Sequence, residues 1–290
     1  MQGTWFPINQ FYGDSMKKIS ILMAVYNAEQ TLDEAIESIL NQTYQNWQFI
    51  ICDDCSTDGT YQKLLGYKEQ YPDKFIIIRN EKNSKLPYSL NHCLKYADGE
   101  YIARMDADDI ALPERFEKQV EYLDTHPEMA VVGTSMMRFD ENGDFGELAA
   151  YQNPDKYILK TAVPYFHATI MMRKQAMDKI GGYTVSKRTE RGQDLDLWFK
   201  FYANGLEGAN LSECLYRVRE DRAAIKRRKL KYDICFVKTR LIGFKMLGFP
   251  FKWQLYAFKP VLSHFIPYKL KVWRRNKQQA KAEAQNVDKK

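Results

Sequence analysis

Apolar positions in the first half of the chain alternate between two patterns. Continuous runs such as "KISILMAVYN" (18–27) and "WQFIICDD" (47–54) stop abruptly at polar residues and read as strands buried on both faces. Between them, "TLDEAIESILNQ" sets Leu32, Ala35, Ile36, Ile39 and Leu40 at helical spacing. Asp33 and Glu34 fall in its first turn, where the helix dipole favours acids. The alternation continues with a helix in "TYQKLLGYKEQY", a strand in "KFIIIRN", a helix in "YSLNHCLKYA" and a strand in "EYIARMD". A helix in "LPERFEKQVEYLDTH", with Pro113 near its start, and a strand in "MAVVGT" complete it.

This spacing predicts βαβ units: an α/β fold with a Rossmann-like, mostly parallel sheet and helices on both faces. Ligands of such sheets sit at the carboxyl ends of the strands. The polar clusters fall there: Tyr26–Asn27, Asp53–Asp54 and Asp106 to Asp109. After Thr134 the pattern loosens. "FDENGDFG" reads as a turn or loop, and "FHATIMMRKQAMDKIGGY" as a short strand, a helix and a glycine turn at Gly181–Gly182. "GQDLDLWFKFYANG" carries a helical stripe of Leu195, Trp198, Phe199 and Tyr202, which reads as core.

Charge then divides the chain. Its 290 residues carry a net +6, but residues 222–290 hold 19 Lys and Arg against 3 Asp and Glu, or +16, while residues 1–221 hold 24 against 34, or −10. An acidic body with a basic tail predicts two separate jobs. The five cysteines are scattered; Cys52 and Cys55 form a CxxC without a second ligand pair, so they read as structural thiols in a reducing compartment. There is no secretory leader pattern and no uncharged run of the ~18 residues needed to span a bilayer. "MKKIS" at Met16 reads as a second start, which makes residues 1–15 a dispensable lead-in.

Three carboxylates within four positions, Asp106, Asp108 and Asp109, carry the candidate chemistry. Asp-x-Asp at a strand end places two carboxylates on one side of the chain. Close carboxylates resist ionising together unless a cation compensates. Mg²⁺ or Mn²⁺ suits such a pair, taking hard oxygen ligands from one or two carboxylates and from substrate phosphates. Taken alone, so short a motif reads first as a solvated acidic turn capping the next helix.

It is not alone. "SILMAVYNAEQTLDEAIESILNQTYQNWQFIICDDCSTDGT", followed by "ADGEYIARMDADDIALPERF", "HATIMMRKQAMDKIGGY" and "GQDLDLW", resembles the family 2 glycosyltransferases over roughly residues 18–218. The resemblance implies the nucleotide-sugar-binding GT-A fold and an inverting transfer from a nucleoside-diphosphate sugar, a UDP-sugar. Ala24, Val25, Tyr26 and Asn27 would hold the base and ribose, with Glu29 beside them. Asp54 would accept from the base, and Lys85 would approach the nucleotide or its diphosphate. Asp106 would face the ribose and metal shell, Asp108 would hold the divalent cation, and Ala107 lies between them. Asp109 would support that loop. Asp194 matches the catalytic base, which must deprotonate an acceptor hydroxyl opposite the leaving diphosphate. His167 and Asp109 are candidates for acceptor or diphosphate contact; His167 reads equally as a satisfied polar residue of the wall. Asp196, two residues beyond the base, would point elsewhere on a helix and reads as structural.

Four positions depart from the family pattern. Ala24 stands for a commoner Thr or Pro, Cys55 for a Gly, Lys85 for a frequent Gly, and Gln193 for a Glu whose charge would raise the pKa of Asp194. None removes a carboxylate that the chemistry needs.

The tail interleaves Lys and Arg with aromatic and aliphatic residues in "IKRRKLKYDICFVKTRLIGFKMLGF" and "FKWQLYAFKPVLSHFIPYKLKVWRR". That pattern fits helices lying in a membrane interface, or a helical subdomain with a solvated basic face. No nucleic-acid module accompanies it. The expected organisation is a lead-in at 1–17, a catalytic domain at 18–221 (donor part 18–134, acceptor part 135–221), a basic membrane-associating extension at 222–275 and a disordered tail at 276–290. The expected setting is the cytoplasmic face of a membrane, with a glycan or lipid-linked glycan acceptor in cell-surface polysaccharide or lipopolysaccharide synthesis. A nucleotidyltransferase is the rival enzyme, although "AVYNAEQ" offers neither the Gly nor the Lys of a triphosphate loop. A non-catalytic glycan- or membrane-binding scaffold is the other alternative. A dehydrogenase is disfavoured because no GxGxxG follows the first strand.

Overall fold

The structure is a computed structural model that describes residues 16–220 and 230–264. The expected lead-in at 1–15, the segments 222–229 and 265–275 and the tail at 276–290 lie outside the described residues.

The strands are β1 (Ile19–Val25), β2 (Trp47–Asp53), β3 (Phe75–Arg79), β4 (Tyr101–Arg104), β5 (Ile110–Ala111), β6 (Met129–Asp140), β7 (Gly143–Leu148), β8 (Met171–Arg173) and β9 (Glu207–Arg219). They form one sheet in the order β3-β2-β1-β4-β8-β6-β9-β5, with β7 paired to β6. The first four are parallel, as the alternation predicts. β8 then runs antiparallel between β4 and β6, while β6 and β9 are parallel to each other.

Strand periodicity separates two cores. Ile19, Ile21, Met23 and Val25 of β1 point to one face, where they meet α1 (Leu32–Leu40), α2 (Thr60–Gln70) and α4 (Arg115–Thr125). Leu22 points to the other, towards α3 (Leu86–Leu94), α5 (Lys174–Lys179) and α6 (Gln193–Ala203). The expected stripe of α6 is core: Trp198, Leu195 and Phe199 are buried.

Two segments differ from the sequence reading. "FDENGDFG" is the tip of a hairpin, because β6 continues through Phe139–Asp140 and β7 returns along it. The turn chemistry is where it was read: Asp140 accepts from the Asn142 N–H at 2.9 Å, and Gly143 takes φ +102°. Charged residues on the exposed side of β7 hide its strand pattern. β9 was not anticipated, although it is the partner of both β5 and β6.

Beyond β9, α7 (Leu230–Met246) packs onto α6, and a 3₁₀ helix (Phe251–Phe258) and α8 (Lys259–His264) pack in turn onto α7. Two glycines permit that contact. A Cβ on Gly243 would enter the Phe199 ring, and one on Gly192 would lie 2.7 Å from the Phe236 ring. Val237, Phe244, Phe249 and Ala257 thereby share the core of Trp198 and Phe199. No described helix is long and apolar enough to cross a membrane.

Candidate active site

The parallel register brings three strand ends into one row. Val25 pairs with Asp53, and Leu22 pairs with Arg104, so the chain leaves β1, β2 and β4 on the same side of the sheet. Three non-glycine residues with positive φ among those described line this side: Asn27 (+53°), Cys55 (+63°) and Lys85 (+74°). Cys55 and Lys85 are two of the positions where the family pattern has glycine. Lys85, with ψ 160°, occupies a region populated almost only by glycine.

Hydrogen bonds hold these turns. The Asn27 N–H donates to Ser56 Oγ at 3.0 Å, and Asn27 Oδ1 accepts from the Thr57 N–H at 2.9 Å. Buried Asp54 accepts from Asn80 Nδ2 and the Ser84 N–H on Oδ1, and from the Lys85 N–H on Oδ2, each at 2.8 Å. A carboxylate has about four acceptor positions, so one on Oδ2 is left for a ligand. Asp54 therefore builds the loop that carries Lys85. The Lys85 ammonium is exposed and donates to Asn83 Oδ1 at 2.7 Å.

The other donor-side residues divide by exposure. Tyr26 is 48% exposed, Ala24 is half-buried and Val25 is buried. Glu29 accepts from the Gly59 N–H at 3.0 Å and thus caps α2. Its carboxylate fills the space that a Cβ at position 59 would need.

The acidic loop after β4 is compensated from within. Fully buried Arg104 pairs with Asp106 and also donates to the carbonyls of Leu22 (2.8 Å) and Met105 (3.0 Å). Tyr216 Oη accepts from the Asp106 N–H at 3.2 Å, and Ala107 O accepts from Thr31 Oγ1 at 2.9 Å. Asp109 is buried; loss of solvent, with Asp106 and Asp108 beside it, pushes its carboxyl up to about 8. It accepts from the Arg219 N–H at 2.8 Å, while Arg219 Nε donates to Asp108 O at 3.0 Å. The Arg219 guanidinium also pairs with Glu34 and stacks on Phe139. Asp108 is the most exposed of the three and Asp106 is half-buried; partial desolvation and the charge of Asp106 raise the pKa of Asp108.

Among the described residues no three His, Cys, Asp or Glu side chains converge as a complete metal cage. Asp106 and Asp108 are nonetheless the donor set a hard divalent cation uses when substrate phosphates complete its shell. Asp109, buried and held by Arg219, is a support for the loop.

Asp194 lies in the first turn of α6, after Gly192 at φ +96°. Burial raises its pKa, the N–H groups at the helix start lower it, and the charge on Asp106 raises it again. The neighbouring charge absent at Gln193 is thus supplied across the site by Asp106. Tyr183 feels both acids: burial raises its phenol, as do Asp106 and Asp194. Its Oη bonds His167 Nε2 at 2.9 Å, and desolvation and Arg104 hold that imidazole well below its usual pKa, hence neutral. Asp196 turns inward and pairs with Arg188 at 2.5 Å, a structural role.

The structure thus joins Asp106, Asp108 and Asp194 on one side of the sheet and sets Asp54 and Lys85 at the neighbouring strand ends. Sequence reading missed Arg104, Tyr183, Tyr216 and Arg219. Arg104 had a signal: a charge between buried apolar strand residues must have a partner.

Comparison with known proteins follows the same lines. The family model described as Glycosyl transferase family 2 matches residues 20–189. The chain is 44% identical over 254 residues to EpsE of Bacillus subtilis (strain 168), provisionally named a glycosyltransferase, covering 88% of this chain and 91% of that one. It is 29% identical to the Escherichia coli protein WfaP, named a UDP-Glc:alpha-D-GlcNAc-diphosphoundecaprenol beta-1,3-glucosyltransferase, over 70% of this chain and 78% of that one. Among solved structures, S. aureus TarS 1-349 in complex with UDP-GlcNAc superposes with a TM-score of 0.64 at 19% identity, covering 83% of this chain and 73% of that one.

Proposed function

Because the chain belongs to glycosyltransferase family 2, we propose that this GT-A enzyme moves one sugar from a UDP-sugar to a hydroxyl of a lipid-linked glycan, in cell-surface polysaccharide synthesis, with inversion at the anomeric carbon. The observation that carries this reading is Asp194: a half-buried carboxylate at a helix start, its pKa raised by burial and by Asp106.

Asp194 takes the acceptor proton as the hydroxyl oxygen attacks the anomeric carbon, and the sugar–diphosphate bond breaks on the opposite face. A raised pKa suits a general base working near neutral pH. Lys85 offers its ammonium to the diphosphate. Tyr26 and Asn27 flank the base and ribose, and Oδ2 of Asp54 keeps one acceptor position for the base. Asp106 and Asp108 would hold a divalent cation, which when bound supplies positive charge against the departing diphosphate. Arg104 and Arg219 keep the carbonyls and carboxylates of that loop in place. Neutral His167 holds the Tyr183 hydroxyl, whose phenol feels both acids. The likeness to TarS with UDP-GlcNAc and to WfaP, with its UDP-Glc donor and diphosphoundecaprenol-linked acceptor, supports a UDP-sugar and a lipid-borne acceptor. A lipid-borne acceptor would in turn place the reaction at the face of a membrane, which this reading takes to be the cytoplasmic one.

The test is a thermal-shift panel of UDP-, GDP-, dTDP- and CMP-sugars, with and without Mn²⁺, on wild type and Asp108→Ala. Stabilisation by a UDP-sugar that needs Mn²⁺ and is lost in the variant is the expected result. No shift from any donor would overturn the reading, and a shift from a GDP-sugar alone would replace its nucleotide.

A further inference from the structure

The C-terminal unit has an outer face that the catalytic domain does not use. Its inner side is anchored: Ala257, Phe244 and Phe249 are buried, and Phe249 packs against Trp253 (5.0 Å between ring centroids) and Tyr157 (5.7 Å). Its outer side projects Phe251 (89% exposed), Leu255 (75%) and Leu262 (66%), with Phe258 also exposed. Such side chains on a well-packed unit mark a docking surface. In a 3₁₀ helix, residues three apart eclipse, so Lys252, Leu255 and Phe258 share one edge.

Charge and aromatic placement identify the partner. Residues 241–264 hold Lys245, Lys252 and Lys259 and no Asp or Glu. Behind the projecting residues lies a rim of amphipathic rings: the Lys160 ammonium sits 4.7 Å from the Trp253 ring and 5.1 Å from the Tyr256 ring. Aliphatic and phenyl groups outermost, with Trp, Tyr and Lys at the rim, is the order in which side chains distribute across a membrane–water interface. Two copies meeting through this face would oppose lysine to lysine, whereas an anionic leaflet attracts every one of them.

We propose that Phe251, Leu255, Phe258 and Leu262 insert into the headgroup region of an anionic bilayer, with Lys252 and Lys259 on its lipid phosphates. The contact lies in the membrane plane and needs no spanning helix. It deepens the reading of a lipid-borne acceptor and rests on that reading for its purpose. It places the membrane against the unit that packs on the helix of Asp194.

The experiment is sedimentation of the full chain with vesicles of phosphatidylglycerol and phosphatidylcholine, and of phosphatidylcholine alone. Wild type is compared with a Phe251→Ser/Leu255→Ser/Leu262→Ser variant and with Lys252→Gln/Lys259→Gln. Wild type should pellet with the anionic vesicles. The apolar variant should lose affinity by about tenfold or more, and the lysine variant should lose its preference for phosphatidylglycerol. UDP-sugar thermal shifts on the same samples should be equal in all three proteins. Wild type that stays in solution, or an apolar variant that pellets like wild type, overturns the proposal. So does an apolar variant that turns a dimer into a monomer by light scattering, which makes the face a self-contact. Loss of donor shifts with vesicle binding intact would instead strike the catalytic reading and leave this one standing.

Discussion

The carboxylates Asp54 and Asp194 sit in two regions built by different means. Asp54 accepts three N–H groups within one connected turn, and the strained backbone at Lys85 depends on them. Asp194 stands at a helix start, and its surroundings press on its charge instead of bonding it fully. The Asp54 region is thus fixed by short polar ties around strand ends. The Asp194 region is fixed by apolar packing of α6 on α7, which leaves its acid incompletely hydrogen-bonded. A group that positions gains from saturation with hydrogen bonds; a group that must take a proton gains from partial desolvation.

The largest effect should come from the unsaturated acid. Asp194→Asn should lower transfer by about a thousandfold, in the range of general-base losses, while donor-dependent thermal shifts stay as in wild type. Loss of donor binding along with turnover would erase the distinction between the two acids. The pH profile sharpens it. A raised carboxyl pKa means the proton is held to higher pH, so the active, ionised base is present only above that pKa. Turnover should therefore fall as pH drops through a limb lying above the ordinary carboxylate value of about 4, and this limb should be missing from the residual activity of Asp194→Asn.

Arg104→Met should cost about 3 kcal/mol or more in denaturant unfolding, because Asp106 loses its buried partner and two carbonyls lose their donor. Phe244→Ala, on the apolar side, should cost about 3 kcal/mol through the cavity it leaves. The first should also weaken Mn²⁺-dependent donor binding and the second should not. Equal effects on donor binding would mean that the two regions are not separately built. The smallest change should have opposite signs in two readouts. Lys85→Gly relieves a backbone conformation worth about 1 kcal/mol, raising stability, yet removes the ammonium and weakens UDP-sugar affinity.

The two regions also differed in how far the sequence revealed them. The parallel half was legible because buried strands and amphipathic helices have unlike periods, and because each strand ended in polar residues where a ligand belongs. Asp106, Asp108, Asp54 and Asp194 could be named from a resemblance spread over several ordered motifs. What supports them could not. Tyr216 and Arg219 reach the acidic loop from about 110 residues away, along a strand whose exposed charges mask its alternation. Part of the loop's compensation lies inside the fold, where Arg104 pairs with Asp106 and burial beside Asp106 and Asp108 raises the Asp109 carboxyl; the cation assigned to Asp106 and Asp108 would add to it. Strain was half visible: the residues at 55 and 85 stood out as replaced glycines, but only the backbone angles show that the glycine conformation was kept.

Gly192 gives the room that Phe236 fills, and Gly243 gives the room that Phe199 fills. Each glycine lies on the helical segment opposite its aromatic, so the pair works like two reciprocal joints. Neither α6 alone nor the C-terminal unit alone should therefore be exchangeable with a relative's without loss of packing. Productive chimeras should be those that cross over outside both joints and carry them together, and recombination within the 193–243 interval should yield chains that fold poorly even when every active-site acid is present.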